Sequence, residues 1–162
     1  MQVKIKKIHV DAQTPTFGSA NAACADLSCV EDFTITNGET KIVKTGIKIQ
    51  YIDPRYKLHI YSRSGLAAKK GIFVLNAPGV IDSDYRGELM VILHNTGSTQ
   101  SFLVGDRIAQ ISIEESLKVS FDESEEEETT ERGQGGLGHT GIGCVIEVLP
   151  VVTAEGTITP AI

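Results

Sequence analysis

Two acidic residues, Asp82 and Asp84, lie in the segment GVIDSDYRGE, where a carboxylate could act as a general acid or base. YSRSGLA contains the polar residues Arg63 and Ser64, and GDRIAQ contains Gln110; each of these could belong to a binding site. Each has a structural alternative: aspartates that cap a turn, a helix N-cap beside a surface cation, or a solvent-facing strand residue. Taken singly, these segments leave both interpretations open.

A glycine-rich segment near the C-terminus is a candidate for binding an anion. RGQGGLGHTGIG, residues 132–143, contains six glycines in twelve residues, interleaved with Arg132, His139 and Thr140. Successive backbone N–H groups of such a segment can surround phosphate oxygens. The pattern GxxxxGK[ST] and its strand-to-helix context are absent, which excludes a P-loop. Composition alone equally allows a disordered tail.

The charge distribution gives no sign of a nucleic-acid-binding surface. Residues 122–131, DESEEEETTE, contain seven acidic and no basic residues. Removing these seven carboxylates from the net charge of −6 leaves the rest of the chain at +1, which is nearly neutral. No apolar run approaches the ~18 to 20 residues that cross a bilayer, and MQVKIKKIHV has no apolar stretch after its positive charges, unlike a secretory signal. We therefore expect a cytoplasmic protein with neither a membrane nor a nucleic-acid partner.

The cysteines and histidines lack the spacing of a metal site. Three cysteines without a CxxC pair argue against a disulfide framework or a zinc site. We expect small buried thiols at Cys24, Cys29 and Cys144. No HxxxH or HExxH spacing relates His9, His59, His94 and His139, so we expect no transition metal held by the protein.

The periodicity predicts an all-β domain with one short helix. Short segments rich in β-branched residues, such as TKIVKTGIKIQYI and GELMVILHN, are separated by turn residues. The best helical candidate is SGLAAKKG, which ends at Gly71. Many short strands with this spacing favour a β-sandwich or jelly roll.

Five segments, in their order, resemble the motifs of the trimeric dUTPase family. They are AACADLSC (22–29), SRSGLAAKKG (62–71), NAPGVIDSDYRGE (76–88), GDRIAQ (105–110) and RGQGGLGHTG (132–141). The resemblance implies a β jelly roll, a homotrimer with shared active sites, and Mg²⁺-dependent hydrolysis of dUTP to dUMP and pyrophosphate. Two alternatives remain: a dCTP deaminase of the same fold and a trimeric nucleotide-binding regulatory protein. The apolar Ile92 and Leu93, where the deaminase needs a glutamate, disfavour the first.

The resemblance also implies roles for individual residues. Asp82 is the general base, and Asp26 contacts Mg²⁺ only through coordinated water, since the ion is held mainly by the triphosphate. The segment from Asn76 to Met90, which we expect to form a hairpin, contacts uracil and deoxyribose. The residues in contact are Asn76, Gly79, Val80, Ile81, Tyr85 and Met90. The phosphates are contacted by Arg63, Ser64, Gly65, Gln110, Arg132, His139 and Thr140. Leu137 covers the uracil where the family usually has an aromatic residue, and His139 replaces a common serine.

The same reasoning predicts four regions along the chain. Residues 1–113 form the jelly-roll core, and 114–131 form an acidic flexible linker. Residues 132–143 form a glycine-rich arm that closes over the phosphates of a neighbouring subunit. Residues 144–162 are an apolar extension of unknown role. About 18 flexible residues span roughly 20 Å or more, which is enough to reach a neighbour.

Overall fold

The computed structural model describes residues 2–137 and two short strand segments at 151–152 and 158–159. The chain divides into two compact units, Met1–Val119 and Ser120–Ile162. His139 and Thr140 lie outside the described residues, as does Cys144.

The first unit contains eleven strands and one helix. In chain order these are β1 (Lys4–Lys7), β2 (Thr16–Phe17), β3 (Ala25–Ser28), β4 (Phe33–Ile35), β5 (Thr40–Tyr51), β6 (Tyr56–Tyr61), α1 (Ser64–Lys70), β7 (Ile72–Val74), β8 (Gly79–Ile81), β9 (Glu88–Asn95), β10 (Gln100–Phe102) and β11 (Arg107–Glu115). In the second unit, β12 (Val151–Val152) pairs with β13 (Ile158–Thr159). The prediction of an all-β domain with one short helix is confirmed.

Antiparallel pairing arranges the first unit into two main sheets. One has the strand order β1-β5-β9-β7 and the other β2-β3-β11-β6-β8, while β10 and β4 form a small separate pair. Side chains alternate between the two faces of a strand, and in β9 every second residue is buried. Leu89, Val91 and Leu93 of β9 are therefore buried in one cluster with Leu58 and Ile60 of β6.

The helix α1 ends where the sequence predicts. Gly71 follows it with φ 68°, a left-handed conformation that glycine adopts without steric cost. A Cβ at this position would approach within 2.7 Å of the Gly97 backbone nitrogen, so glycine is also required for close packing. The alternative in which Ser64 is the N-cap is wrong: Arg63 occupies that position, and no side chain caps the helix by a hydrogen bond.

The predicted hairpin between Asn76 and Met90 is also wrong. β8 pairs with β6 in the five-stranded sheet, whereas β9 pairs with β5 and β7 in the four-stranded sheet. The polar segment 82–87 therefore carries the chain from one sheet to the other instead of folding it back on its own strand. Sequence periodicity identifies both strands but not the sheet to which each one belongs.

The predicted boundary between residues 113 and 114 falls inside a strand. β11 continues to Glu115, and Glu114 and Glu115 pair with Lys57 and Tyr56 of β6. The Glu114 carboxylate accepts a hydrogen bond from the Tyr61 hydroxyl at 2.7 Å and lies 3.0 Å from Nδ1 of His59. These partners hold Glu114 on the sheet, although its negative charge favoured the linker assignment.

Stability should depend on pH through Glu114. The hydrogen bond from Tyr61, with a further one from His59, lowers the pKa of the Glu114 carboxyl. A lowered native pKa stabilises the fold above the unfolded value of about 4.3, and this contribution disappears as pH falls through the native value. We expect Glu114→Gln to lower the free energy of unfolding at pH 7 and to have progressively less effect from about pH 4 downward. Urea unfolding at a series of pH values and one protein concentration measures this, with the exposed Glu123→Gln as control; a pH-independent effect would contradict it.

The described part of the chain contains no helix long and apolar enough to span a membrane. Cys29 is buried, as predicted, and its thiol donates to the Leu103 carbonyl at 3.1 Å, while Cys24 is half-buried. Burial raises the pKa of both thiols above the ordinary value.

Candidate active site

A cavity of about 190 Å³ brings together the six residues that the sequence assigned to nucleoside recognition. Asn76, Gly79, Val80, Ile81, Tyr85 and Met90 all line it. Apolar side chains of both sheets complete the wall, among them Ile42, Ile60 and Ile92. A concave, mostly apolar recess with few polar groups is typical of a small-molecule site.

The floor of this cavity is an edge strand. Among the residues that the structure describes, β8 is the last strand of the five-stranded sheet and pairs only with β6. Its second edge therefore presents main-chain N–H and C=O groups that no neighbouring strand uses. Gly79 lets the Asn76 side chain approach, because a Cβ there would lie 3.3 Å from its amide nitrogen. The Asn76 amide and the β8 backbone are thus adjacent hydrogen-bonding groups.

The Tyr85 side chain lines one side of the cavity, and its ring lies against Gly87. Its hydroxyl donates to the Glu88 carbonyl at 3.0 Å. A Cβ on Gly87 would come within 2.1 Å of the Tyr85 hydroxyl oxygen, so the ring occupies the space of the missing side chain. Glu88 is itself fixed, since its carboxylate accepts from the Gly46 N–H at 2.8 Å, where the β5–β9 register shifts.

Asp82 immediately follows β8 and is exposed next to the cavity-lining Ile81. Its main-chain carbonyl accepts from the Tyr85 N–H at 3.1 Å, which closes a turn. The Arg86 guanidinium donates to the carbonyls of Ser83 and Tyr85, both at 2.9 Å, and these hydrogen bonds stabilise the turn. The turn therefore fixes the Asp82 main chain next to the cavity-lining Ile81, and the Asp82 side chain is accessible to water.

A second group of the predicted residues gathers around the Asp26 carboxylate. Nε of Arg63 lies 3.1 Å from Oδ1 of Asp26, and Nη1 of Arg107 lies 2.9 Å from Oδ2. Gln110 pairs with Asp26 across β11 and β3, and its amide donates to the Ser62 carbonyl at 3.0 Å. We call Asp26, Arg63, Arg107 and Gln110 the arginine–aspartate cluster; it provides several donors and a net positive charge.

Sequence reasoning missed three residues that organise these groups. Arg107 stands in the GDRIAQ segment, where only Gln110 had been singled out. Ser62 accepts from the Val74 N–H at 2.8 Å through its hydroxyl and from Gln110 through its carbonyl. Gly87 provides the space for Tyr85. Ser62 and Gly87 lie within the matched segments, but the sequence does not reveal what they do: Ser62 contacts Val74 and Gln110 of other segments, and Gly87 acts through the side-chain conformation of Tyr85.

The nucleoside cavity and the arginine–aspartate cluster are separate places in this chain. Arg63 and Arg107 line a cleft of about 320 Å³ that shares no lining residue with the cavity beside β8. Ser64 and Gly65, which begin α1, are exposed to solvent. The structure thus gathers the predicted residues into two groups.

In the second unit, the described part of the glycine-rich segment forms a local turn. Nε of Arg132 donates to the Gly135 carbonyl at 2.9 Å, and the Gly133 N–H donates to the Thr130 carbonyl at 3.0 Å. Leu137 has φ 44° and a fully exposed side chain. A non-glycine residue at positive φ is uncommon because its side chain crowds the backbone. The Leu137 side chain is exposed, so its burial does not offset this conformational cost.

The fold and these groups define a β-sandwich protein of the jelly-roll class with an exposed acidic turn beside a small-molecule cavity. The dUTPase family profile matches residues 10–141, and the chain belongs to that family. It is 46% identical over 143 residues to the deoxyuridine 5'-triphosphate nucleotidohydrolase of Nautilia profundicola, covering 87% of this chain and 99% of that protein. The protein of the same name from Helicobacter pylori strain P12 is 41% identical over 143 residues, covering 88% and 98%.

Two phage proteins of known structure show the same fold. The Staphylococcus bacteriophage 80alpha dUTPase with dUpNHpp superposes with a TM-score of 0.80 at 22% identity, covering 87% of this chain and 99% of that one. The D95N mutant of the phage phi11 dUTPase, described with a structural Mg(II) ion, gives 0.73 at 20% identity, with 80% and 100% coverage. The predicted fold class is confirmed.

Proposed function

We propose that this protein hydrolyses dUTP to dUMP and pyrophosphate. The observation that carries this proposal is the cavity beside β8, because it unites all six residues expected to read the nucleoside. It does so in a chain that belongs to the dUTPase family. Such a reaction limits dUTP and supplies dUMP for thymidylate synthesis.

Uracil is read by the open edge of β8 together with Asn76. Main-chain groups of Gly79, Val80 and Ile81, with the Asn76 amide, pair with the polar edge of the base. Cytosine exchanges a donor for an acceptor at this edge, and a site built on hydrogen bonds rejects such a change strongly. The 5-methyl group of thymine is excluded by a steric clash with the wall of the cavity, and Tyr85 excludes a 2′-hydroxyl.

Asp82 acts as the general base. Its exposed carboxylate takes a proton from water as the water oxygen forms a bond to the α-phosphorus. The bond from that phosphorus to the bridging oxygen breaks on the opposite side, and pyrophosphate leaves with the electron pair. A positioned base of this kind contributes ~10² to 10⁴ in rate.

The arginine–aspartate cluster fits a metal-bound triphosphate. Among residues 2–137, no group of three or more acidic, histidine or cysteine side chains could hold a metal ion by itself. Mg²⁺ binds readily to phosphate oxygens and waters with one nearby carboxylate, and Asp26 supplies that carboxylate. When bound, Mg²⁺ would offset negative charge on the phosphates. Arg63, Ser64, Gly65 and Gln110 donate to the phosphate oxygens and align the chain.

The fifth motif and the assembly complete the proposal. Arg132, His139 and Thr140 cover the γ-phosphate, and Leu137 covers the uracil. The active site is shared among the subunits of a homotrimer, which would combine the nucleoside cavity of one copy with the arginine–aspartate cluster of another. The separate lining of the two places in one subunit supports this arrangement. We further propose that residues 132–143 form the arm that closes over the phosphates of a neighbouring subunit and that the protein is cytoplasmic.

A substrate panel tests the function. Pyrophosphate release from dUTP, dTTP, dCTP and UTP is measured with Mg²⁺, and the products of dCTP are examined for a uracil nucleotide. We expect efficient cleavage of dUTP alone. Deamination of dCTP would support the alternative of the same fold, but the stretch where that chemistry needs a glutamate is apolar at Ile92 and Leu93, and Leu93 is fully buried. Intact dUTP, or equal cleavage of dTTP, would refute the proposal.

Leu137→Phe should lower the KM for dUTP. An aromatic ring adds a base stack worth ~1 to 3 kcal/mol, which the leucine side chain cannot provide. Steady-state kinetics with dUTP measures the change, and Leu117→Phe, another exposed leucine, serves as a control. An unchanged or higher KM would count against the placement of Leu137 over uracil.

A further inference from the structure

Arg107 contacts two other members of the arginine–aspartate cluster, although the sequence motifs assign it no role. Its Nη1 donates to Oδ2 of Asp26 at 2.9 Å, and its main-chain carbonyl accepts from Nη1 of Arg63 at 2.8 Å. The Asp26 side chain is only 16% exposed, and each of its two oxygens is held by a different guanidinium. Arg107 therefore contacts two of the residues that the proposed function assigns to the metal-bound triphosphate, Asp26 and Arg63.

A β-bulge gives Arg107 this position. The β11–β3 register pairs Gln110 with Asp26 and Arg107 with Ser28, and it shifts between Arg107 and Ala109. In a regular strand, residues 107 and 110 would point to opposite faces because side chains alternate. Here Ile108 and Ala109 are both buried, so the extra residue returns Arg107 to the face that carries Asp26.

The charges explain why two arginines are needed. Asp26 and Arg63 alone would neutralise one another, and Arg63 would have to leave its partner in order to bind a phosphate. With Arg107 present, the half-buried carboxylate keeps a hydrogen-bonded counter-charge when Arg63 turns to the phosphates. Arg107 is 55% exposed, so its substitution should not disturb the core.

We propose that Arg107 is a positioning residue of the triphosphate site: its side chain holds Asp26, and its main-chain carbonyl orients the Arg63 guanidinium. The inference rests on the proposed hydrolysis of dUTP.

Arg107→Gln tests the side-chain part of this role. Binding of a dUTP analogue with nitrogen between the α- and β-phosphorus atoms is measured by calorimetry with Mg²⁺, beside steady-state kinetics and thermal unfolding. We expect Kd and KM to rise about tenfold, as for loss of a charge-assisted hydrogen bond, with kcat within about twofold and Tm unchanged. Arg107→Lys should recover part of the affinity. Arg55→Gln is the matched control, because Arg55 pairs with Asp53 at 2.8 Å on an exposed turn, and it should leave Kd unchanged.

A double substitution shows whether Arg107 acts through Asp26. In an Asp26→Asn background, Arg107→Gln should change Kd less than about twofold, since the carboxylate that it holds is already gone. The inference would be overturned if the effects of the two substitutions on Kd were fully additive. It would also be overturned if Arg107→Gln alone left Kd unchanged while the native enzyme hydrolyses dUTP. A native protein that binds the analogue but leaves dUTP intact would instead refute the proposed function.

Discussion

Asp82→Asn should reduce kcat for dUTP by about 10²- to 10⁴-fold, the usual contribution of a positioned general base. Asparagine has nearly the same shape, but its amide cannot take a proton from the attacking water. The turn should persist, because it depends on the Asp82 main-chain carbonyl and on the Arg86 guanidinium rather than on the carboxylate. Nucleotide binding should therefore survive the loss of turnover, and calorimetry with dUTP and Mg²⁺ can follow it directly.

Asp84→Asn is the matched control, because Asp84 lies two residues further along the chain, is also exposed and carries the same charge. It should retain kcat within a few-fold. Equal losses in the two variants would indicate a general electrostatic effect of the turn and would refute the assignment of Asp82. Retained turnover in Asp82→Asn would do the same. Binding without turnover in the native protein would favour the regulatory alternative.

Gly87→Ala should weaken the preference for dUTP over UTP by about 10- to 100-fold, comparable to the discrimination available from one methylene-sized contact. Gly87 does not have a positive φ, so alanine is compatible with the backbone. Its Cβ would nevertheless collide with the Tyr85 hydroxyl and ring. The half-exposed Tyr85 must then rotate away from the cavity, which opens the space proposed to exclude the 2′-hydroxyl. Values of kcat/KM for the two nucleotides measure the effect.

A double-mutant cycle with Tyr85→Ala tests the cause of that change. If Gly87→Ala acts through the ring, it should have little further effect once the ring has been removed. Gly18→Ala is the control, because a Cβ there meets nothing within 4 Å. If Gly87→Ala retains full selectivity with a stable fold, Tyr85 does not select the sugar.

Much of the fold and the site could be predicted from the sequence, because both depend on local patterns. Alternation of apolar residues indicates strands such as β9, and the conformational freedom of Gly71 marks the end of α1. The order of five short motifs identified the family and named Asp82 and the residues around the nucleoside cavity. Each strand, helix end and motif is recognised within a few residues, and the order of the motifs is read along the chain. None of these signals requires knowledge of how distant segments pack.

Only the tertiary structure decided how these segments combine. It assigned β8 and β9 to different sheets, which made a cavity beside an open strand edge instead of the predicted hairpin. It also kept Glu114 on β11, where Tyr61 supplies a hydrogen bond that composition does not reveal. The bulge in β11 turned Arg107 toward Asp26, 81 residues away in the chain. Sheet membership, register and such contacts depend on packing energies summed over the whole domain, and no single segment contains them.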